Sequence, residues 1–236
     1  MSSNGNWNER ISTLEQERTF KRLIALHTLT DAWVKTISPQ SEPTHRIERM
    51  TKVTLNPNLW LFEKMRLDQI PLELEKLVSA QTIDAFLKEL KNTIWIIQVS
   101  TLENALGQGT STLEMENILQ QTSWNHGRAY AESIWGTTGS FSLQEAYDAF
   151  CASHWYGPSD FLTETRSDLE IRLIWKNPPS EDPSIKTSEG APLLCTLHEH
   201  WIRGFFYGVS RKVKTSIRRT TLRERPYPIF TLLSTY

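Results

Sequence analysis

The chain contains few cysteines, no long apolar run and no apolar N-terminal stretch. Its two cysteines, Cys151 and Cys195, are too few for a disulfide framework and predict a reducing, cytoplasmic environment. No segment approaches the 18 consecutive apolar residues of a membrane-spanning helix. Residues 1–5 lack the apolar character of a secretory signal. These absences predict a soluble protein with no membrane span.

Sequence motifs of catalysis are missing as well. No Gly-rich phosphate loop, Walker-type motif or nucleophile elbow occurs. Cys195 and His198 would share one helix face, as two metal ligands would, but no second tight pair completes a four-ligand site. His154 lies one turn from Cys151 without an identifiable third group. We therefore predict no catalytic residue and no metal site, and the sequence leaves any cofactor unknown.

The chain is rich in aromatic residues and uneven in charge. It has 236 residues, is 39% hydrophobic and carries nine Trp and nine Phe, which is enough to form a packed core. Residues 106–200 hold 5 basic and 13 acidic side chains, whereas residues 201–236 hold 8 basic and 1 acidic. The basic end therefore meets an anionic partner or lies against the acidic middle of the same fold. No aromatic residue lies between Val213 and Arg225, so nucleic acid is disfavoured as that partner.

Apolar periodicity predicts a largely helical first half. Helices are expected over 8–37, 80–106 and 112–135, with shorter ones after residue 57 and from Pro71. Ser142 and Glu145 form a capping box, because the serine oxygen can accept from the backbone N–H of the glutamate while the carboxylate reaches back. The helix that follows is expected to end before Gly157.

The second half contains strands. Alternating apolar residues over 169–175 predict a half-buried strand, paired with residues 161–166. A helix over 192–211, a strand over 213–222, a turn over 225–228 and a strand over 229–234 follow. The predicted fold class is α+β. A helical N-terminal region (1–110) precedes a domain (111–236) of order α-α-β-β-α-β-β, whose small antiparallel sheet is covered by helices on one face.

Three patterns in residues 112–236 carry a family resemblance. They are WNHGRAY at 124–130, GAPLLC at 190–195 followed by RGFFYG at 203–208, and RERPYPIF at 223–230. In this order they resemble the 4-vinyl-reductase-like domain family, which is related in fold to subunits of the vesicle-tethering transport particle. The resemblance implies a sensor-type module for a small or hydrophobic ligand, often a homodimer. Residues 222–230 lack the cysteines that family members often place there, so a family-type zinc site is not expected.

The sequence keeps two alternative functions open. The first is a cysteine-dependent hydrolase resembling the aminothiazoline-carboxylate hydrolase family, with Cys195 and His198 as the reactive pair. The second is a protein-interaction scaffold that uses the basic C-terminal end, including Arg218 and Arg219.

The preferred hypothesis is a non-catalytic site for a small apolar or partly apolar ligand between the helix layer and the sheet. Gly204 and Gly208, four apart, predict a close helix contact, either to a neighbouring element or to a second subunit. Apolar pockets carry a few polar anchors. The candidate walls and anchors are Trp124, His126, Arg128, Tyr130, His198, Trp201 and Phe205.

Overall fold

The protein is a mixed α+β chain with its sheet in the C-terminal half. The computed structural model describes residues 14–37, 83–136, 141–154, 160–176, 178, 190–222 and 225–235. The elements in these ranges are α1 (Leu14–Ile37), α2 (Ile83–Gly107), α3 (Thr112–Trp135), α4 (Leu143–Ser153), β1 (Phe161–Ser167), β2 (Glu170–Trp175), α5 (Ala191–Val209), β3 (Val213–Leu222) and β4 (Arg225–Ser234). The predicted fold class and the predicted order from α3 onward are confirmed. The short helices predicted after residue 57 and from Pro71 lie outside the described residues.

Within the described ranges, no helix combines the length and apolar character needed to cross a bilayer.

Local sequence sets the ends of α3 and α4. The side chain of Ser111 accepts the backbone N–H of Glu114 at 3.2 Å and begins α3, and Gly136 ends it at a φ of 78° that glycine adopts without strain. Ser142 and Glu145 form the predicted capping box, with the Ser142 backbone N–H 2.8 Å from the Glu145 carboxylate. Both helices therefore begin and end close to the predicted positions.

The four strands form one antiparallel sheet in the order β1-β2-β4-β3. Burial alternates along β2, whose Ile171, Leu173 and Trp175 face the interior. Leu173 lies opposite Phe230 and continues the apolar face across β4. The other face is open, as Leu162 with 51% of its surface exposed illustrates. The helices thus cover one face of the sheet, as period-two alternation requires.

The predicted turn over residues 225–228 is wrong. β4 begins at Arg225, which lies opposite Leu222, and Pro226 and Pro228 continue the ladder with β3. The pairing of β4 with β2 extends only from Ile229 to Leu233. Proline cannot donate to a ladder, and residues two apart present their backbone nitrogens to the same edge. The two prolines are tolerated because residues 225–228 have no second partner among the described strands.

Helix α5 is the centre of the molecule, with 15 of its 19 residues buried. One side packs backbone to backbone on α3, since a Cβ added at Gly204 would overlap the carbonyl oxygen of Trp124. At Gly208 the same atom would come within 2.6 Å of the Arg128 carbonyl oxygen. The opposite side faces the sheet, where His198 lies 5.9 Å from the Trp175 ring. The close contact predicted for Gly204 and Gly208 is therefore made within the chain.

Helix α1 packs against α2 and also against α3 and α4 of the C-terminal half. The buried Arg22 donates to the carbonyl oxygens of Ala152 and Cys151 at 3.2 and 3.3 Å, which caps the end of α4. One cluster of buried apolar side chains runs from Phe20 in α1 to Leu232 in β4. The proposed division at residue 110 stays a prediction, but the described parts on its two sides share a core.

Candidate ligand-binding site

Aromatic rings occupy the space between α5 and the sheet, where the sequence places the ligand. The ring of Phe150 lies 5.5 Å from Phe161 and 6.0 Å from Phe205, and Phe161 lies 5.8 Å from Trp175. All four side chains are at most 6% exposed. The predicted hollow is filled because these large side chains point inward from the four elements α4, β1, β2 and α5. His198 and Phe205 consequently belong to the packed core.

A partly open groove lies elsewhere, between α1 and α3. Its volume is about 440 Å³, within the range of about 300–1,000 Å³ that small-molecule sites occupy. The nine described residues that line it are Lys21, Ile24, Ala25, Thr28, His126, Ala129, Tyr130, Ser133 and Ile134. Apolar walls and several polar groups thus meet in one concave site.

Small side chains create this groove. Ala25 and Thr28 lie one turn apart on α1, and Ala129 and Ser133 lie one turn apart on α3. Residues three or four apart share a helix face, so each helix presents a pair of small side chains to the other. Space remains where larger side chains would interlock.

A chain of three hydrogen bonds fixes His126 at one end of the groove. The indole N–H of Trp201 donates to His126 Nδ1 at 3.0 Å, so this nitrogen carries no proton. The proton of the neutral ring is therefore on Nε2, which lies 3.0 Å from the Thr28 hydroxyl oxygen and donates to it. Thr28 in turn donates to the Ala25 carbonyl oxygen at 3.0 Å. Both ring nitrogens are engaged, and one tautomer is selected.

Burial keeps His126 uncharged. It lowers the pKa of this imidazole to about 4, and the Trp201 donor opposes protonation of Nδ1 as well. At neutral pH His126 is therefore a polar but uncharged part of the groove wall.

Tyr130 and Lys21 are the other two titratable residues among those that line the groove. The Tyr130 ring stacks on His126 at 6.4 Å and lies 5.7 Å from Trp201. Burial raises the pKa of its hydroxyl to about 12, with the Arg22 charge acting in the opposite direction, so the hydroxyl keeps its proton. Burial lowers the pKa of Lys21 from its ordinary value. Lys21 is the one charged side chain among the nine lining residues.

The seven predicted site residues separate into three groups. His126 and Tyr130 line the groove. Trp201 is not among the lining residues, but its indole N–H donates a hydrogen bond to His126. Trp124 and Arg128 are half-buried on another face of α3, where the Arg128 guanidinium lies over the Trp124 ring at 5.4 Å. Residues two apart on a helix point about 200° away from each other, so no single site holds all four α3 residues. His198 and Phe205 form the third group, inside the core.

The contribution of α1 was missed because it lies outside the segment that carries the family resemblance. Lys21, Ala25 and Thr28 have the spacing of a common helix face. This spacing was the indication in the sequence that α1 contributes to a site. It shows that the three residues align, but not which helix they face. The pairing of α1 with α3 depends on the tertiary structure.

Cys195 is buried and Cys151 is half-buried. Cys195 is 7% exposed, and burial raises the pKa of the Cys151 thiol, which disfavours the nucleophilic thiolate. His154 packs its ring 4.7 Å from Phe150 and 5.4 Å from Trp201. In the part of the chain that the structure describes, no three His, Cys, Asp or Glu residues are grouped as metal ligands.

One arginine of the basic C-terminal end forms an ion pair with a glutamate of the same chain. The Arg219 guanidinium donates to both oxygens of Glu199 at 3.2 and 3.1 Å, and Glu199 is 5% exposed. Glu199 belongs to the acidic middle of the sequence, so at this point the two charge blocks contact each other. Lys214 and Arg218, on the same strand, are exposed.

Comparisons of the chain with protein-family models, with curated proteins and with solved structures found no significant match. The resemblance to the 4-vinyl-reductase-like domain family therefore stays a prediction. The functional proposal for this chain depends on the groove between α1 and α3.

Proposed function

We propose that this protein is a non-catalytic binding module that holds a small, partly apolar molecule in the groove between α1 and α3. The observation that carries the proposal is the 440 Å³ groove, in which Ile24, Ala25 and Ala129 face the polar groups of Lys21 and Tyr130. Ligand sites are mostly apolar with a few placed polar groups.

A binding role fits the state of the polar groups. His126 is neutral and both of its nitrogens are engaged by Trp201 and Thr28, so this imidazole does not accept a proton from a bound molecule. The Tyr130 hydroxyl remains protonated at neutral pH. Rigid, hydrogen-bonded walls reduce the cost of ordering the site around a ligand.

The proposal keeps the expected cytoplasmic location and a sensor role. A homodimer is expected only from the family resemblance, because Gly204 and Gly208 pack on α3 of the same chain. The cysteine hydrolase is not preferred, given the burial of Cys195 and the raised pKa of the Cys151 thiol. The scaffold alternative retains the exposed Lys214 and Arg218.

The test is to fill the groove with one side chain. Ala129 is exposed and lines the groove, so Ala129→Trp occupies the ligand space with little effect on the core. The probe is N-phenyl-1-naphthylamine, an uncharged apolar dye whose fluorescence rises on binding. We expect the Ala129→Trp variant to bind it at least about tenfold more weakly than the wild type, since about 1.4 kcal/mol of contact is lost.

Gln121→Trp is the matched control, because Gln121 is exposed on the same helix and does not line the groove. This variant should bind the dye like the wild type. Native mass spectrometry of protein purified from cells provides an independent test, in which Ala129→Trp should lose any co-purified small molecule. Equal dye binding by the wild type and Ala129→Trp would remove the groove as the site.

A further inference from the structure

The Tyr130 side chain presents an unpaired hydroxyl to the groove. Its ring is held on two sides, since it stacks on His126 at 6.4 Å and lies 5.7 Å from Trp201. The hydroxyl forms no hydrogen bond with the residues of the described ranges, and its oxygen is not one of their fully enclosed unpaired atoms. The oxygen is therefore accessible. Because a tyrosine hydroxyl in such surroundings usually has a hydrogen-bond partner, a bound molecule can supply one here.

The other uncharged polar hydrogens of the described lining are already committed. His126 Nε2–H donates to the Thr28 hydroxyl oxygen at 3.0 Å, and the Thr28 hydroxyl donates to a carbonyl oxygen of its own helix at 3.0 Å. The Ser133 hydroxyl donates to a carbonyl oxygen of α3 at 2.7 Å. Lys21 also has an interaction within the protein, so it is not counted as a donor for a ligand. The donor that remains for a ligand in the described lining is the Tyr130 hydroxyl.

The charge of Arg22 makes this hydroxyl a donor rather than an acceptor. Arg22 is buried in α1, and its charge acts on the Tyr130 hydroxyl. A hydroxyl dipole orients in such a field with its oxygen toward the cation and its hydrogen away from it. Burial outweighs this charge and raises the pKa of the hydroxyl to about 12, so the hydrogen is retained at neutral pH. The ligand atom that faces Tyr130 must then be an acceptor.

The walls around this donor are mostly apolar. Ile24 of α1 and Ala129 and Ile134 of α3 line a space of about 440 Å³, which accommodates a molecule of drug-like size. His126 is neutral, as is Tyr130. A charge loses much hydration free energy when it enters apolar surroundings, so these walls favour an uncharged ligand.

We infer that the ligand is an uncharged, largely apolar molecule with one carbonyl-type oxygen, which accepts a hydrogen bond from the Tyr130 hydroxyl. This inference rests on the proposed function and specifies its ligand class. One directed hydrogen bond fixes the orientation of an otherwise apolar body in the groove. His126, with both nitrogens engaged, contributes polarity to the wall but no second donor.

The experiment compares two uncharged dyes, of which one has a carbonyl group. The first is 6-propionyl-2-(dimethylamino)naphthalene, whose emission moves to longer wavelength when its carbonyl oxygen accepts a hydrogen bond. The second is N-phenyl-1-naphthylamine, which has no carbonyl group. Tyr130→Phe removes the hydroxyl and keeps the ring. In this variant the dissociation constant of the carbonyl dye should rise by about three- to tenfold, as expected for one lost hydrogen bond, while that of the second dye stays unchanged.

The emission of the bound carbonyl dye gives a second readout, which a merely structural effect of the substitution would not produce. At saturation it should lie at shorter wavelength in Tyr130→Phe than in the wild type, because the hydrogen bond to the carbonyl oxygen is lost. Tyr147→Phe is the matched control. The Tyr147 hydroxyl lies 2.9 Å from the Thr163 hydroxyl and does not line the groove, so this variant should leave both dissociation constants and the emission unchanged.

The outcomes separate the two proposals. If Ala129→Trp affects neither dye, the groove is not a binding site and both proposals fail. If Ala129→Trp weakens both dyes but Tyr130→Phe changes them equally or not at all, the groove binds ligands while the carbonyl acceptor is refuted. Selective weakening of the carbonyl dye in Tyr130→Phe, together with the shift of its emission, supports the inference.

Discussion

Among the described residues, three histidines are buried without lining the groove. His27 is 1% exposed, and His154 and His198 are fully buried. His198 lies between the Trp95 and Trp175 rings, at 6.4 and 5.9 Å. Burial and the nearby Lys91 charge lower the pKa of His198 to about 3, and burial lowers that of His27 to about 4. Burial therefore keeps these two imidazoles in the neutral form.

This burial makes the stability of the protein sensitive to acid. The unfolded chain protonates histidine near its ordinary pKa of about 6.5, whereas folded His198 stays neutral until about pH 3. Between these pH values the unfolded state binds more protons, so the free energy of unfolding falls as the pH falls. We expect His198 to account for a loss of about 2 kcal/mol between pH 7 and pH 5.

The measurement is urea unfolding of the wild type and His198→Gln at pH 7 and pH 5. Each protein is compared with itself at the two pH values, which cancels any direct packing effect of the substitution. The pH-dependent loss should be smaller in His198→Gln by about the amount assigned to this histidine. An unchanged loss would place the acid sensitivity in other groups.

At the scale of elements, the decisive contact is the one between α3 and α5. A Cβ at Gly127 would overlap the carbonyl oxygen of Trp201, and one at Gly204 would overlap that of Trp124. Backbone atoms cannot move aside as a flexible side chain can. This contact also holds Trp201 where its indole N–H reaches His126. The groove therefore depends on glycines that do not line it.

Gly208→Ala tests this contact in a form that should still fold. The new Cβ would lie 2.6 Å from the Arg128 carbonyl oxygen and 2.9 Å from the Ala131 Cβ. We expect the free energy of unfolding to fall by about 1–3 kcal/mol, the usual cost of overpacking. Gly107→Ala is the control, because nothing lies within 4 Å of its added Cβ. It should be neutral or stabilising by up to about 1 kcal/mol. Equal stability of both variants in urea would contradict the close packing.

At the scale of the whole molecule, α1 belongs to the same packed body as the sheet domain. Its side chains Phe20, Leu23 and Trp33 are at most 1% exposed, and Arg22 caps α4. A buried hydrogen bond of 2.8 Å joins Gln98 of α2 to Thr30 of α1. The sheet domain would expose apolar surface if these two helices were removed.

We therefore expect a fragment of residues 111–236 to lose cooperative unfolding. Deletion exposes the faces of α3 and α4 that α1 covers, and each buried side chain lost costs about 1.5–3 kcal/mol. Urea unfolding followed by circular dichroism should give one sharp transition for the full chain and a broad one for the fragment. A sharp transition of the fragment near the full-chain midpoint would instead support an independent domain after residue 110.

Much of the element structure was predictable because it depends on neighbouring residues. The bounds of α3 follow from Ser111 and Gly136, and the start of α4 follows from the Ser142 capping box. Alternation along β2 predicted its buried face correctly. Residues 225–228 were misassigned because two prolines usually indicate a turn, and only the strand order reveals that this part of β4 lacks a second neighbour among the described strands.

By itself, the sequence determined most of the described helices and strands, the α+β class and the glycines of a close helix contact, since periodicity, capping and side-chain size are local properties. It also identified His126 and Tyr130 as candidates for a site. The tertiary structure alone decided that aromatic rings fill the space under the sheet and that the groove lies between α1 and α3. Local patterns specify which residues share a face, whereas the partner of that face depends on how distant segments pack.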